Sequence, residues 1–257
     1  MPNVQELSAP YGNHLLPVLV ADPGVCPVCH TFLVGDFDVC YQCNEARRSL
    51  PSTTDAVAFV ALAVKGEQLA RELAVYKGNS PDAAGRTRPR LAAVLWRWLV
   101  DHEDCVAEAA DIVRFPVVTT VPSTSGRGNH PLQDMVGRAV RHTSDRYRPL
   151  LKPGADAPGD RSFTEERFEA MPAASHEPVL LIDDTFTTGS HVQSAASALV
   201  SAGWGPIGVV SIGRHFNRQP AGDQYRQAAE EYYQQARRRG WDWSRCCLCG
   251  RDWDFAS

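Results

Sequence analysis

The sequence lacks an apolar run long enough to cross a bilayer. Its longest stretches, Val57–Val64 and Val179–Ile182, fall far short of the roughly 20 residues that a spanning helix needs. It also lacks an excess of positive charge: the formal charge is −4, so a polyanion would have to be held by particular residues rather than by a general field. The opening residues, Met-Pro-Asn-Val-Gln-Glu, have none of the basic start of a secretory signal, and no repeat of solenoid period is found. With 44% hydrophobic and 22% charged residues, the chain is neither disordered nor collagenous in composition. These absences predict a soluble, cytoplasmic, globular protein without a membrane partner. Its 257 residues suffice for one α/β domain and a smaller appendage.

Cysteine, by contrast, is plentiful, with eight residues in a compartment where disulfides are rare and paired cysteines more often bind metal. Cys26-Pro-Val-Cys29 and Cys40-Tyr-Gln-Cys43 stand ten residues apart, with Gly35 and Asp36 able to turn the chain between them. Four thiolates in two tight turns are what a tetrahedral structural Zn²⁺ takes. The spacing of Cys26-Pro-Val-Cys29-His30 also permits a c-type haem attachment, against which stand the second pair and the missing export signal. Cys246 and Cys249 form a third pair, a candidate for further metal that one pair alone cannot complete. Cys105, His102 and His30 are candidates to complete it, as is exchange with an N-terminal pair. The plainer expectation is of reduced thiols in an aromatic tail with Trp241, Trp243 and Trp253, and of Cys105 as a small buried apolar residue.

Between these cysteines the pattern alternates strands and helices. A leader of unknown order, 1–25, precedes the first knuckle. Strands are expected at Asp55–Val64, Phe115–Val121, Val179–Ile182 and Ile207–Ile212, and helices at Gly66–Lys77, Leu91–His102, Leu132–His142, Val192–Ala202 and Tyr225–Arg239. Asp223 is the expected cap of the last helix and Gly240 its stop. Asn79–Pro89, with Arg86, Arg88 and Arg90 around it, reads as a loop, and so does the long stretch Thr143–Glu177. Strand, helix, strand over 179–212 implies a parallel crossover.

The chemistry concentrates at one strand end. Val179–Ile182 delivers Asp183 and Asp184 to the carboxyl edge of a parallel sheet, where α/β folds bind ligands. Two adjacent carboxylates repel each other unless hydroxyls, a cation or a base compensates them. Thr185-Phe-Thr187-Thr188-Gly189-Ser190 follows, with hydroxyls and a glycine suited to an anion at a helix N-terminus. A capped strand-to-helix turn would use the same residue types.

Four apolar residues, Asp183-Asp184, two residues and Thr187-Thr188-Gly189 closely resemble the phosphoribosyl pyrophosphate motif of type I phosphoribosyltransferases. The resemblance implies that Asp183 and Asp184 hold the ribose hydroxyls, with Mg²⁺. It implies further that Thr185, Thr187, Thr188, Gly189, Ser190 and His191 line the ribose and 5-phosphate site. Thr185 and Phe186 stand where that family has small aliphatics, and His191 where it has Thr or Ser. Val121-Pro-Ser123 with Arg127-Gly-Asn resembles, without its Phe, a stretch of the competence-related ComF-like branch, and Tyr76-Lys77-Gly78 resembles its Lys-Tyr-x-Gly in shifted order. On the pyrophosphate side the resemblance points to Lys77, Ser123 and Arg127, and to Arg161, Arg167 and Lys152 of the long loop. That branch also opens with a cysteine-rich knuckle.

The implied architecture is a type I phosphoribosyltransferase fold, a parallel sheet flanked by helices. The zinc-binding module spans 1–50, the transferase domain 51–215, and a C-terminal helix with a cysteine-containing tail 216–257. The implied activity is transfer of phosphoribosyl from phosphoribosyl pyrophosphate, or its reversal, on a nitrogenous small molecule. The alternative is an accessory protein working with DNA-uptake or repair proteins, and a homodimer is left open.

Overall fold

The strands form where the sequence is apolar on both faces. In the computed structural model, which describes residues 3–78, 81–123, 131–155 and 160–249, β1 (Val57–Val64) is buried at every position. β2 (Val117–Thr120) is likewise fully buried, as expected of parallel strands covered on both sides. β5 (Val179–Phe186) and β6 (Ile207–Phe216) run past their apolar cores and carry polar residues to the strand ends. The four strands make one parallel sheet in the order β1-β6-β5-β2. In β6, Gly208 and Gly213 are forced by close packing. A Cβ at Gly208 would lie 2.3 Å from the Phe115 ring, and one at Gly213 would lie 2.4 Å from Leu73.

Helices α3 (Gln68–Val75), α4 (Pro81–Ala109) and α7 (Ser190–Ser201) pack on this sheet. The α/β class with a parallel sheet and flanking helices agrees with the sequence; four local expectations do not. The loop expected at Asn79–Pro89 is helical from Pro81, the first part of α4. Pro81 occupies the first turn, where a missing N–H costs nothing, and Asp82 favours the positive end of the helix. Pro89 removes one helical hydrogen bond, but the turns that follow bury Leu91, Leu95, Trp98 and Leu99 completely. The helix expected at Leu132–His142 is broken into α5 (Pro131–Asp134), a wide π turn (Met135–Ala139) and α6 (Arg141–Ser144). Thr143 Oγ1 reaches the carbonyls of Val136 at 2.7 Å and Val140 at 3.0 Å, competing with helical bonding there.

The long stretch Thr143–Glu177 is not all loop. It contains β3 (Leu151–Pro153) and β4 (Phe168–Ala170), an antiparallel pair, with a 3₁₀ turn at Glu165–Arg167 leading into β4. The Thr164 amide donates to Ser194 Oγ of α7 at 3.2 Å, and Trp204 Nε1 donates to the Met171 carbonyl at 2.7 Å. Three-residue strands carry too little alternation to be recognised as strands in the sequence.

The leader is ordered too, with α1 (Val4–Ser8) capped by Asn3 in a capping box. Tyr11, Leu15, Val18 and Leu19 are buried, and the Leu62 amide of β1 donates to the Leu16 carbonyl at 2.9 Å. After the knuckle comes α2 (Tyr41–Ser49). The last helix, α8 (Asp223–Arg239), starts after Gly222 rather than with Asp223 as its cap, and stops at Gly240 with φ 68°. It buries Ala229, Tyr232, Tyr233 and Ala236, a stripe at helical spacing. The Tyr232 hydroxyl donates to the His30 carbonyl at 2.7 Å and accepts from the Leu19 amide at 3.0 Å. One hydrophobic cluster thus runs from Tyr11 through the sheet to Leu248. Among the described residues no helix is long and apolar enough to cross a membrane.

Candidate functional site

The sheet and the turn after β5 form a cavity of about 600 Å³ at the carboxyl end of the strands. Its wall includes Asp183, Asp184, Thr185, Thr187, Thr188, Gly189, Ser190 and His191, together with Lys77, Ser123 and Arg161. Those eight residues and three of the six expected pyrophosphate-side residues therefore share one space.

Gly189 is the pivot of the turn. It adopts φ 87°, and a Cβ there would meet the Phe186 ring at 2.5 Å, so glycine is required twice over. Phe186 is held edge-on against Phe59 at 5.2 Å. Thr188 Oγ1 accepts from the Ser190 amide at 3.3 Å and lies 3.2 Å from Ser190 Oγ, closing the first turn of α7. Behind the turn, the buried Arg214 of β6 donates to the carbonyls of Phe186 at 3.3 Å and Thr187 at 3.0 Å. The same guanidinium donates to the Cys29 carbonyl at 2.8 Å and approaches Cys29 Sγ at 3.6 Å.

The two carboxylates sit in different surroundings. Asp184 is held by the two residues that follow α3: Lys77 Nζ donates to Oδ1 at 2.5 Å, and the Tyr76 hydroxyl makes a short hydrogen bond to Oδ2. Asp183 is buried. Burial, reinforced by the neighbouring negative charge of Asp184, pushes its carboxyl up to about 8. Burial also pushes the His191 imidazole down to about 4, helped by the positive charges of Arg167, Arg161 and Lys77; His191 is therefore neutral at neutral pH. The cavity rim is thus cationic around a proton-retaining acid.

No family model matches the chain, and no curated protein matches it. What the cavity does must therefore be argued from its own chemistry.

Of the expected pyrophosphate-side residues, Arg127 lies outside the described residues. Arg167 does not line the cavity: its side chain is fully buried, its guanidinium donates to the Ser162 carbonyl at 2.8 Å, and it pairs with Asp160 at 3.6 Å. Its positive charge lies close enough to His191 to lower that imidazole. Lys152 is bound to Glu169 across the β3–β4 hairpin at 2.6 Å. Tyr76, Arg214 and His215 belong to the site and were not singled out from sequence. For Arg214 a signal existed, a charged residue one glycine beyond the run Ile207–Ile212.

Among the described residues, two clusters of side chains could hold a metal ion. Cys26, Cys29, Cys40 and Cys43 bring their sulfurs within 4.8 Å of one another, and Cys29 and Cys40 are 3.4 Å apart. That is far longer than a disulfide and near the ~3.8 Å edge of a tetrahedron of zinc thiolates. The knuckle turn is built by the Cys26 amide donating to the Thr31 carbonyl at 2.8 Å and the His30 amide donating to the Cys26 carbonyl at 2.9 Å. His30 turns away in a left-handed conformation, its ring bonded to the Leu19 carbonyl; it belongs to neither cluster. The second cluster joins His102 and Cys105 of α4 to Cys246 and Cys249. Cys105 is thus not the small buried apolar residue expected: it is partly exposed and stands among ligand-type side chains.

Proposed function

We propose that the cavity binds phosphoribosyl pyrophosphate with Mg²⁺ and that the protein transfers the phosphoribosyl group to, or removes it from, a nitrogenous small molecule. The observation that carries this reading is the sharing of one cavity by two adjacent carboxylates, a glycine-pivoted hydroxyl turn at a helix N-terminus, and the cations Lys77 and Arg161. The turn Thr187–Ser190 suits a phosphate, which a helix N-terminus and its amides favour. Asp183 and Asp184 suit ribose 2′ and 3′ hydroxyls, which offer the donors that paired carboxylates want. A divalent cation fits beside them, because it would offset the burial and the neighbouring carboxylate that keep Asp183 protonated. Mg²⁺ bound there would neutralise charge on the pyrophosphate.

In this reading Lys77 and Arg161 face the departing pyrophosphate and stabilise the charge that develops on it as the anomeric carbon becomes oxocarbenium-like. Lys77 would exchange its bond to Asp184 for one to the ligand. The four-cysteine knuckle holds a structural Zn²⁺, and through Arg214 it supports the turn that receives the phosphate. A reducing cytoplasm suits these cysteine clusters.

Calorimetry with phosphoribosyl pyrophosphate and Mg²⁺ tests binding, and pyrophosphate release over a panel of bases tests turnover. Absence of binding at millimolar ligand removes the reading. Binding without turnover on any base would favour the accessory role in DNA uptake or repair. The neutral His191 at the end of the turn supports that second reading, because it brings no charge to the phosphate.

A further inference from the structure

The second cluster lies apart from the cavity and involves none of its residues. His102 and Cys105 are three apart on α4, so they project from one face of the helix. Cys246 and Cys249 sit in a tight turn whose backbone is folded around their sulfurs. The amides of Leu248 and Cys249 each approach Cys246 Sγ at 3.3 Å, and the Cys246 amide approaches Cys249 Sγ at 3.0 Å. Amides aimed at sulfur stabilise thiolate charge. The same device recurs at the N-terminal knuckle, where the Cys40 amide approaches Cys26 Sγ at 3.5 Å.

The histidine supplies a second, independent sign. His102 Nε2 lies 2.8 Å from the Trp243 carbonyl. A carbonyl can only accept, so Nε2 carries the proton. That leaves Nδ1 to face Cys105 Sγ at 3.9 Å and Cys249 Sγ at 3.8 Å. A ligating histidine oriented by donating its other ring N–H to a backbone carbonyl is the usual outer support of a metal site. With Zn–S of about 2.3 Å and Zn–N of about 2.0 Å, a tetrahedral site has an N···S edge of about 3.6 Å, so only small movements separate the four atoms from ligation. The Trp98 ring, 5.1 Å from the imidazole, and Arg97 stacked 4.1 Å over Trp243 fix the surroundings.

We propose that His102, Cys105, Cys246 and Cys249 form a second structural zinc site, which clasps the C-terminal tail to α4. Four protein ligands leave no open position, so the site is structural rather than catalytic. It ties two segments that meet only through tertiary packing, and it keeps Trp243 against α4 and Gly12. The proposal stands independently of the ribose-phosphate reading.

The test is metal analysis of the full chain purified without chelator. Two zinc ions per chain are expected. Cys246→Ser with Cys249→Ser should lose one and retain the other, and Cys26→Ser with Cys40→Ser should do the converse. Zinc X-ray absorption on the unsubstituted chain provides the check if a variant fails to fold. One four-sulfur and one three-sulfur, one-nitrogen site average about 3.5 sulfurs and 0.5 nitrogens per zinc. An all-sulfur zinc shell, or a zinc content unmoved by loss of Cys246 and Cys249, overturns the proposal. Chelation should also speed tryptic cleavage at Arg245 about tenfold or more, and an unchanged rate would count against a clasp.

Discussion

Asp183 sets the pH behaviour of the cavity. Its folded-state value of about 8 lies above the ordinary 3.8, so the folded chain holds a proton that the unfolded chain releases. The stabilisation from this group is complete below about pH 4 and lost as pH rises through 8. Urea midpoints should therefore fall between pH 5 and 9 in the unsubstituted chain and fall less in Asp183→Asn. Ligand binding with Mg²⁺ should release a proton below pH 8, measurable by calorimetry in buffers of different ionisation enthalpy; affinity should rise toward pH 8. Gly189→Ala forces a side chain into a left-handed conformation at a cost of about 1–2 kcal/mol and into contact with Phe186. We expect phosphate-ligand affinity to fall tenfold or more while the far-ultraviolet circular dichroism is unchanged. The carboxylates and turn were legible in sequence because their chemistry is local. The roles of Tyr76 and Arg214 were not, since each depends on a partner from another element, Asp184 for one and Cys29 with Thr187 for the other.

At the scale of elements, α4 is pinned to the segment after α5 by Glu103. This buried carboxylate takes a bidentate bond from Arg146 at 2.6 and 2.9 Å and one from His142 at 2.7 Å. Burial alone would raise its carboxyl, but the bonds from Arg146 and His142 outweigh burial and hold it below the usual range. Its contribution is thus present above the ordinary carboxylate range and lost as pH falls through the depressed value. Glu103→Gln should cost about 2 kcal/mol at pH 7 and less in acid, read from denaturant midpoints. Gly213→Ala should cost about 1–3 kcal/mol by overpacking against Leu73 and Ala63. The long strands and α7 could be read from the sequence because their burial is continuous. The first turns of α4 and the β3–β4 hairpin could not, because proline composition and three-residue strands carry no period, and tertiary contacts decide them.

Over the whole molecule, Arg214 makes the four-cysteine knuckle and the turn after β5, proposed to receive phosphate, parts of one network. Removing metal with a chelator should lower the thermal midpoint and weaken phosphoribosyl pyrophosphate binding together. Arg214→Gln should weaken both zinc retention and ligand binding, by about tenfold to a hundredfold for the metal, as measured by zinc competition and calorimetry. Loss of metal without any effect on ligand affinity would separate the two. The division into module, domain and tail, natural from sequence spacing, hides this sharing: the cysteines, the sheet and the tail lie in one hydrophobic cluster.

The strand order carries a cost in time. β1 is made early, yet its partner β6 lies beyond β2 and β5 in the chain. At ordinary rates of synthesis, on the order of ten seconds pass before residues 207–216 emerge. For that interval an eight-residue strand, apolar on both faces, has one open edge and a template for pairing with other chains. The leader, which meets β1 through the Leu16 carbonyl and the buried Leu15 and Val18 in the folded chain, is made before any strand. It would serve the nascent chain as an internal guard, and truncated chains lacking residues 3–25 should aggregate during translation more than during refolding.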